Sequence, residues 1–354
     1  MKKRTTILSV GDKKDFDSYR KFQGQRHFIR NKDFVYKSID FERLFSENPP
    51  VIKNGKVIVF IFFPFKYWDE HIERGSHRGV YGNLTFYNKF TKYGKAILKR
   101  LNKIISADET IFVNNPEMAS YYRDKFVLKK VLAAKGVNVP SDIRSRKIKY
   151  IERYLQKGGR LFIKPRCGSM GKGITYLEKG QWQTNFDIRR NKIANIHSDY
   201  GWVFRDVTGN VSFLRELLEK DVIVEEAVDP LRINGRIVDF RVYGFFDKVL
   251  YIYPRKGQTG AITTNISQGA EGSPRLRSTL AGATIKKIED QVISVMKALD
   301  LNFVGVDVML NKNKTKAYVV DVNMFPGFPR IKTFNIPQSL TKELSRGIHM
   351  RRSM

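Results

Sequence analysis

The chain has 354 residues, enough for two or three structural units with sizeable cores. Hydrophobic residues make up 42% of it and aromatic residues 12%, which excludes a disordered or collagen-like chain. The 65 Lys and Arg residues exceed the 35 acidic ones, giving a net charge of +30 that attracts polyanions such as nucleic acid, acidic polymers, phosphorylated substrates or anionic membranes.

The sequence also indicates which compartment and which kinds of site to expect. A single cysteine, Cys167, excludes a disulfide scaffold and a zinc site made of cysteines. The longest apolar run, 57–65, carries Pro64 and falls short of the roughly 18 residues of a membrane span. The apolar stretch 7–10 is too short for a signal peptide. We therefore expect a cytoplasmic protein without a transmembrane segment.

The first 115 residues mix strand and helix patterns. Apolar runs predict strands at 5–10, 56–63 and 110–113, the second covered on both faces. Apolar residues at spacings of 3 and 4 predict a helix over 86–104. Its other positions carry basic residues and no acid: Lys89, Lys92, Lys95, Lys99, Arg100 and Lys103. This basic surface is either an ordinary solvated helix face or a binding surface for a polyanion.

In the middle of the chain, Asn115-Pro116 predicts the start of a helix that continues to about Lys135. Gly136 and Pro140 are predicted to end it. The tract 181–210 is polar and gives no clear pattern. The remaining pattern predicts, in order, a helix at 148–156, a strand at 161–165, a glycine-rich stretch at 166–173, a strand at 174–177, a helix at 211–220 and a strand at 222–228.

The last third is rich in strand patterns. Residues 236–246 and 248–253 predict a hairpin around Asp247, and 282–300 predicts a helix. Two further strands, 303–310 and 316–323, are joined by a short turn. After Pro329 the sequence is short and basic, and we expect a helix against the surface.

The two C-terminal strands carry acids among valines. Asp321 and Asn323 are two positions apart, so their side chains leave the same face of a strand, which can also present Asp307 from the neighbouring strand. Buried acids are costly unless they are paired or bind a metal ion. Because three hard oxygen donors suit Mg²⁺, we predict a magnesium site. The alternative, acids on an exposed sheet face, fits the alternating valines poorly.

A basic residue and a glycine-rich loop follow one another earlier in the chain. Lys164 ends an apolar strand, and the loop after it holds Gly168, Ser169, Gly171 and Gly173. Glycines let backbone N–H groups approach phosphate oxygens. The spacing matches neither a Walker A loop nor a Rossmann fingerprint, so the loop alone is weak support for a phosphate site.

Two further groups lie on predicted strands. Glu225 and Glu226 end one strand, where backbone groups and a carboxylate could meet an adenine, although an ordinary exposed strand end is the simpler explanation. Arg241 and, further along, Arg255 and Asn265 could face a phosphoryl group. The alternative for these is a salt-bridged sheet face.

The order of these groups resembles the ATP-grasp superfamily over about residues 110–330. Asp321-Val322-Asn323-Met324-Phe325-Pro326-Gly327 resembles that superfamily's Glu-x-Asn-x-x-Pro-Gly, with Asp in place of the usual Glu. Asp124-Lys125 followed by 132–140 resembles its Asp-Lys…Gly-Ile-x-x-Pro segment. Residues 235–241 are similar to the endospore coat-associated branch, and also to ribosomal-protein glutamate ligases and tubulin-tyrosine ligases.

The resemblance implies an α/β (α+β) ATP-grasp fold of two subdomains that clamp ATP. A pre-ATP-grasp α/β domain over 1–115 would precede an N-terminal subdomain with the lid, 116–228, and a C-terminal subdomain with the metal site and a basic tail, 229–354. Lys125 and Lys164 would contact the ATP phosphates beneath the glycine lid. Glu225, Glu226 and the backbone of Val228 would hold adenine. Mg²⁺ would bind Asp307, Asp321 and Asn323, while Arg241, Arg255 and Asn265 would face an acyl-phosphate.

The function implied is an ATP-dependent carboxylate–amine (or thiol) ligase that works through an acyl-phosphate. Two alternatives stay open: an ATP-grasp kinase acting on a polyanionic substrate, and a non-catalytic ATP-dependent binder of an anionic polymer. The expected partners are ATP and an anionic substrate or polymer. Nucleic acid is a further candidate partner that no motif supports.

Overall fold

The computed structural model describes residues 4–12, 18–28, 34–73, 80–189, 192–194, 203–266 and 269–345. The strands of this part of the chain form three larger sheets and one small hairpin. Within it, no helix is long and apolar enough to cross a membrane.

The first sheet is parallel, with strand order β2-β1-β3-β4. The predicted strands and the long helix are confirmed, with somewhat different ends. The apolar run of β3 is covered on both faces as expected, since Val57 and Val59 pack against Ile97 of α4 while Phe60 joins an aromatic cluster around Phe22. The elements are β1 (Thr5–Gly11), α1 (Ser18–Gly24), β2 (Phe34–Asp40), α2 (Phe41–Phe45), β3 (Ile52–Ile61), α3 (Phe65–Tyr67), a π-helical turn (Trp68–Glu73), α4 (Leu84–Ile104) and β4 (Ile105–Phe112).

The predicted helix to Lys135 is in fact two helices. Asp124 interrupts the predicted helix. Its carboxylate accepts hydrogen bonds from the N–H of Phe126 (3.0 Å) and from Nε and Nη2 of Arg166, so Asp124 caps the start of a second helix. Gly136 then ends that helix with a φ of 76°. The helices are α5 (Pro116–Tyr121) and α6 (Lys125–Ala134).

The second sheet is antiparallel, with order β10-β7-β6-β5-β11. The tract without a clear pattern holds four short strands, while 190–191 and 195–202 lie outside the described residues. The elements are α7 (Ile148–Gln156), β5 (Leu161–Pro165), β6 (Thr175–Glu178), β7 (Gln181–Thr184), β8 (Asp187–Arg189), β9 (Lys192–Ala194), β10 (Arg205–Asp206), α8 (Val211–Leu218) and β11 (Val222–Glu226).

The third sheet has order β15-β14-β13-β16-β17, with β12 beside β13. The predicted hairpin, the long helix and the two C-terminal strands are confirmed. The expected C-terminal helix is also found, while the tail from 346 lies outside the described residues. The elements are β12 (Arg232–Ile233), β13 (Arg236–Phe245), β14 (Lys248–Lys256), β15 (Glu271–Gly272), α9 (Gly282–Leu299), β16 (Phe303–Leu310), β17 (Ala317–Asn323) and α10 (Ile336–Ser345).

Strand alternation gives the third sheet two unlike faces. Val238, Phe240 and Val242 pack against α9 through Ile288 and Val292. The side chains between them leave the opposite face, which is charged at one end of β13 and aromatic at the other. The aromatic end packs against the first sheet, where the rings of Phe245 and Phe60 lie 6.3 Å apart. The charged end carries Asp239 and Arg241, which form ion pairs with residues of the neighbouring strands.

The division into three domains, 1–115, 116–228 and 229–354, stays a prediction. The three larger sheets draw their strands from residues 5–112, 161–226 and 232–323. The segment around α6 packs with the third sheet's core, because Leu128, Leu132 and Val137 belong to the same cluster as Val306 and Val322.

Candidate active site

A row of charged side chains crosses the third sheet. Arg241 on β13 is paired in register with Asp307 on β16, and Asp307 with Asp321 on β17. Asp239 on β13 is paired with Arg255 on β14. Directly opposed residues on neighbouring strands have side chains within contact distance on one face. The sheet therefore collects four of the charged residues singled out in the sequence on its charged face, together with Asp239.

Asp307 is the centre of this row. It accepts two hydrogen bonds from Arg241, 2.5 Å from Nε to Oδ1 and 3.1 Å from Nη2 to Oδ2. The Arg255 guanidinium lies 3.1 Å from the same Oδ1 and is itself bidentate on Asp239. Burial alone would raise the pKa of Asp307, but the two guanidinium groups together hold it below the usual value. Asp307 is therefore a buried carboxylate that stays ionised.

Asp321 has a different partner and a more open position. Its Oδ1 lies 2.6 Å from the Nζ of Lys125, and a third of its side chain is exposed. Lys125 reaches Asp321 from the first position of α6. The backbone N–H of Lys125 donates to the carbonyl of Arg166 at 2.9 Å, which fixes the start of the helix. A residue predicted to bind phosphate and a residue predicted to bind metal are thus in direct contact.

The predicted metal ligands lie on one face of β16 and β17. Asp307 is opposite Asp321, and Asn323 is opposite Gly305, whose carbonyl accepts from the Asn323 amide at 3.4 Å. Two carboxylates and an amide oxygen are hard donors that suit Mg²⁺. Among the described residues no group of three or more His, Cys, Asp or Glu could hold a metal ion. The predicted set therefore reaches three donors by including the amide oxygen of Asn323. The donor chemistry fits the metal, and its binding stays a prediction.

Lys164 and Glu225 meet across β5 and β11. Lys164 forms an ion pair with one oxygen of Glu225, and Lys129 lies 2.9 Å from the other. Lys129 also pairs with Asp142. Burial would raise the pKa of Glu225, but the two lysines hold it below the usual value. The carboxylate is thus occupied by lysines, and the predicted adenine contact of Glu225 has yet to be tested.

Sequence reasoning missed Lys129. It lies one helical turn after Lys125 on α6, so both face the same side of the helix. That spacing was visible in the sequence and could have identified it. Both lysines, with Glu225, Val320 and Asp321, line an open cleft between β11 and β17. A second, shallow pocket around Phe246 and Asp300 contains none of the predicted site residues.

The other predicted residues lie outside the charged row. Glu226 accepts a hydrogen bond from the hydroxyl of Tyr154 at 2.9 Å, and Val228 is half-buried just beyond β11. Asn265 lies in the loop after β14, where its carbonyl accepts the N–H of Ala270 at 3.2 Å. Their predicted roles toward adenine and an acyl-phosphate stay predictions.

The glycine-rich loop has the backbone that its sequence predicts. Met170, Gly171 and Gly173 have φ of 58°, 71° and 74°, in the left-handed region that favours glycine. A Cβ at Gly173 would also lie 2.7 Å from Phe186. The buried Asn185 side chain fastens the loop by accepting the N–H of Ile174 and donating to the carbonyl of Gly171, both at 2.8 Å. The loop is therefore a defined structure.

The chain matches the model of a known protein family. The model described as YheC/D like ATP-grasp matches residues 118–348. A search of curated protein sequences finds no match to the chain.

Several solved structures share the fold over nearly the whole chain. A RiPP-associated ATP-grasp ligase from Chryseobacterium gregarium, in complex with ADP and a leader and core peptide, superposes with a TM-score of 0.58 at 11% identity, covering 99% of this chain and 100% of that one. The macrocyclase MdnC from Microcystis aeruginosa MRC, bound with its precursor peptide MdnA, gives 0.57 at 13%, covering 97% and 100%. The D-alanine–D-alanine ligase from Bacillus anthracis gives 0.52 at 15%, covering 96% and 95%. The mixed α and β architecture is thus that of ATP-grasp proteins, as expected.

Proposed function

This chain is a member of the YheC/D-like ATP-grasp family, and on that basis we propose that it is an ATP-dependent ligase that joins a carboxylate to an amine or thiol. The observation that carries this is the charged row beside the cleft. Three cations (Lys125, Arg241 and Arg255) are paired there with three carboxylates (Asp239, Asp307 and Asp321). The formal charges of these six groups cancel.

Such pairs are suited to exchange partners when Mg²⁺ and ATP enter together. Carboxylates are the ligands Mg²⁺ prefers, and guanidinium and ammonium groups are the ones that bind phosphate. Lys125 would leave Asp321 for a phosphate oxygen, and Lys164, now paired with Glu225, would do the same. The paired state keeps both sets of groups in place and their charges balanced without the nucleotide.

The proposed chemistry has two steps. A substrate carboxylate oxygen bonds to the γ-phosphorus as the bond to ADP breaks, and then the amine attacks the acyl carbon, expelling phosphate and losing a proton to solvent. Mg²⁺ on Asp307, Asp321 and Asn323 would offset phosphate charge during the transfer. Arg241 and Arg255 stabilise charge on the transferred phosphoryl group, and the lysines orient the nucleotide.

The test is a product analysis. The protein is incubated with ATP, Mg²⁺ and pools of amino acids, dipeptides and dicarboxylic acids, with hydroxylamine as the trapping amine. The ligase proposal expects ADP, free phosphate and an acyl hydroxamate in equal amounts, all dependent on the carboxylate. A stable phosphorylated product without free phosphate would establish the kinase alternative instead. Tight binding of an ATP analogue with no turnover on any pool would favour the binder.

The reaction also suggests where the protein works. It consumes ATP, which the cytoplasm supplies, so the proposal keeps the protein in that compartment. The proposal also includes an anionic acceptor, since a net charge of +30 attracts a carboxylate substrate.

The exposed lysines of α4 should steer that acceptor. If these lysines attract the acceptor, reversing the charge of four of them will raise the KM for the carboxylate. It will also make that KM less dependent on salt, because salt screens this attraction by shortening the Debye length from ~10 Å at 0.1 M to ~3 Å at 1 M. ATP binding should change little. The lysines to be reversed to Glu are Lys92, Lys95, Lys99 and Lys103, which are all exposed.

The control is a second quadruple reversal with the same change in charge. Four exposed lysines outside α4 serve for it, namely Lys135, Lys147, Lys149 and Lys157. Equal KM values and equal salt slopes for the two quadruple variants would show that α4 is an ordinary solvated face. The structure already adds one acid near it, since Glu117 of α5 lies 3.6 Å from Lys95.

A further inference from the structure

The glycine-rich loop contains a lysine that points away from solvent. The side chain of Lys172 is 1% exposed, and its Nζ lies 2.9 Å from Oε1 of Glu73. The same Nζ lies 4.7 Å from the centre of the Tyr81 ring. A buried ammonium is costly unless it is paired, so this loop side chain depends on partners from the first part of the chain.

A second set of contacts joins the same parts. Ser169 Oγ lies 2.9 Å from the hydroxyl of Tyr81 and accepts a hydrogen bond from Nη2 of Arg123 at 3.0 Å. The Arg123 guanidinium rests over the Trp68 ring, 4.0 Å from its centre. The indole N–H of Trp68 donates to the second oxygen of Glu73 at 2.9 Å. One carboxylate thus binds both the loop lysine and the ring that supports Arg123.

The backbones also meet at this place. The Cys167 N–H donates to the carbonyl of Gly82 at 2.6 Å. Gly82 has a φ of +74°, and a Cβ there would lie 2.3 Å from Cα of Gly168. Only glycine permits so close an approach with that backbone. The start of the loop is therefore in direct backbone contact with the first part of the chain.

These contacts lie beside the nucleotide cleft. Arg123 directly precedes Asp124 and Lys125, and Arg166 at the start of the loop is bidentate on Asp124. We propose that Trp68, Glu73, Tyr81 and Gly82, together the loop anchor, hold the glycine-rich loop in its nucleotide-binding shape before ATP arrives. Glu73 and Tyr81 are then positioning residues that act through Lys172 and Ser169.

The physical benefit is a lower entropic cost of binding. A loop that becomes ordered only when nucleotide binds loses backbone and side-chain freedom at that moment, and affinity falls accordingly. A loop that is already fixed avoids this loss. None of the anchor residues belongs to the motifs that relate the chain to its family. The part of this inference that concerns ATP rests on the proposed function, whereas the part that concerns loop order does not.

The test compares Glu73→Gln and Tyr81→Phe with Glu70→Gln as the matched control. Gln at 73 keeps an acceptor for Trp68 but removes the charge that Lys172 needs, and Phe at 81 removes only the hydroxyl near Ser169. Glu70 is an exposed acid of the same helical turn. Amide hydrogen exchange of residues 168–173 is measured without nucleotide, and the Kd of adenylyl imidodiphosphate with Mg²⁺ and the KM for ATP are measured in parallel.

We expect loop exchange at least about 10-fold faster in Glu73→Gln, a smaller increase in Tyr81→Phe, and none in Glu70→Gln. The Kd of the analogue and the KM for ATP should rise about 10-fold in Glu73→Gln with kcat within about twofold, because ordering of the loop precedes chemistry. If Glu73 had a purely structural role, its substitution would lower Tm without raising Kd and KM at a nearly constant kcat. If Glu73→Gln fails to fold, Tyr81→Phe decides by the same measurements.

Loop exchange equal to that of Glu70→Gln would overturn the proposal, and so would faster exchange with unchanged analogue affinity. Failure of the proposed function is recognised separately. If the wild-type protein binds no analogue, the nucleotide role is wrong, while the exchange difference between the variants still decides whether the first part of the chain orders the loop.

Discussion

Asp321→Ala should reduce turnover by about 10²- to 10³-fold while leaving the fold intact. The substitution removes an oxygen donor of the proposed magnesium site and the partner of Lys125, and losing one such electrostatic group costs ~3–4 kcal/mol in the transition state. Because the Asp321 side chain is a third exposed, its ion pair contributes about 1 kcal/mol or less to stability. Product formation at saturating ATP and Mg²⁺, with thermal unfolding in parallel, checks both parts.

Asp307→Ala is the matched comparison, since it removes the carboxylate opposite Asp321. It should be equally inactive but also less stable, by about 3–5 kcal/mol, because the half-buried guanidinium of Arg241 loses its carboxylate and the buried guanidinium of Arg255 keeps only Asp239. Denaturant unfolding measures the difference. Wild-type activity in Asp321→Ala would refute the metal site, and equal stability of the two variants would refute the role of Asp307 as the centre of the row.

Lys164→Met should weaken ATP binding by ~1.5–3 kcal/mol, the contribution of a hydrogen bond to a charged group. This corresponds to about one to two decades in affinity. The fold should tolerate the change, since Glu225 keeps Lys129 as a partner at 2.9 Å. Calorimetric titration with a non-hydrolysable ATP analogue and Mg²⁺ measures the loss.

Lys286→Met provides the control for Lys164→Met. Lys286 is an exposed lysine on α9 that pairs along its own helix, with Asp290 at 2.7 Å. Its loss removes the same charge at a distance from the cleft, so ATP affinity should stay at the wild-type value. Equal affinities for the two variants would mean that Lys164 does not touch the nucleotide.

The sequence was most informative where strand alternation and charge coincide. Valines alternating with Asp307, Asp321 and Asn323 imply one apolar and one polar face, and the register of β16 and β17 places the two acids opposite each other as expected. Local signals also indicated the start of α5, where Asn115 accepts the N–H of Glu117 at 2.9 Å. These features depend on neighbours in sequence or on a single pairing of adjacent strands.

The features that the sequence did not reveal depend on distant partners. Asp124 breaks the predicted long helix because Arg166 completes its hydrogen bonds across 42 residues. The burial of Lys172 could not be predicted, since its partner Glu73 is 99 residues away. The paired state of the site was equally hidden, because ion pairs such as Lys125 with Asp321 span 196 residues. No local pattern contains such contacts.

The aromatic end of β13 bears on how far the chain can be shortened. Family similarity begins at residue 118, so a clone starting there would look like a complete enzyme. Yet Phe245, Phe303 and Phe328 share one buried cluster with Phe22 and Phe60. Removing the first 115 residues would uncover these rings as a contiguous apolar patch, the kind of surface that drives aggregation. The leading segment therefore packs with the rest of the chain, and expression trials should keep it.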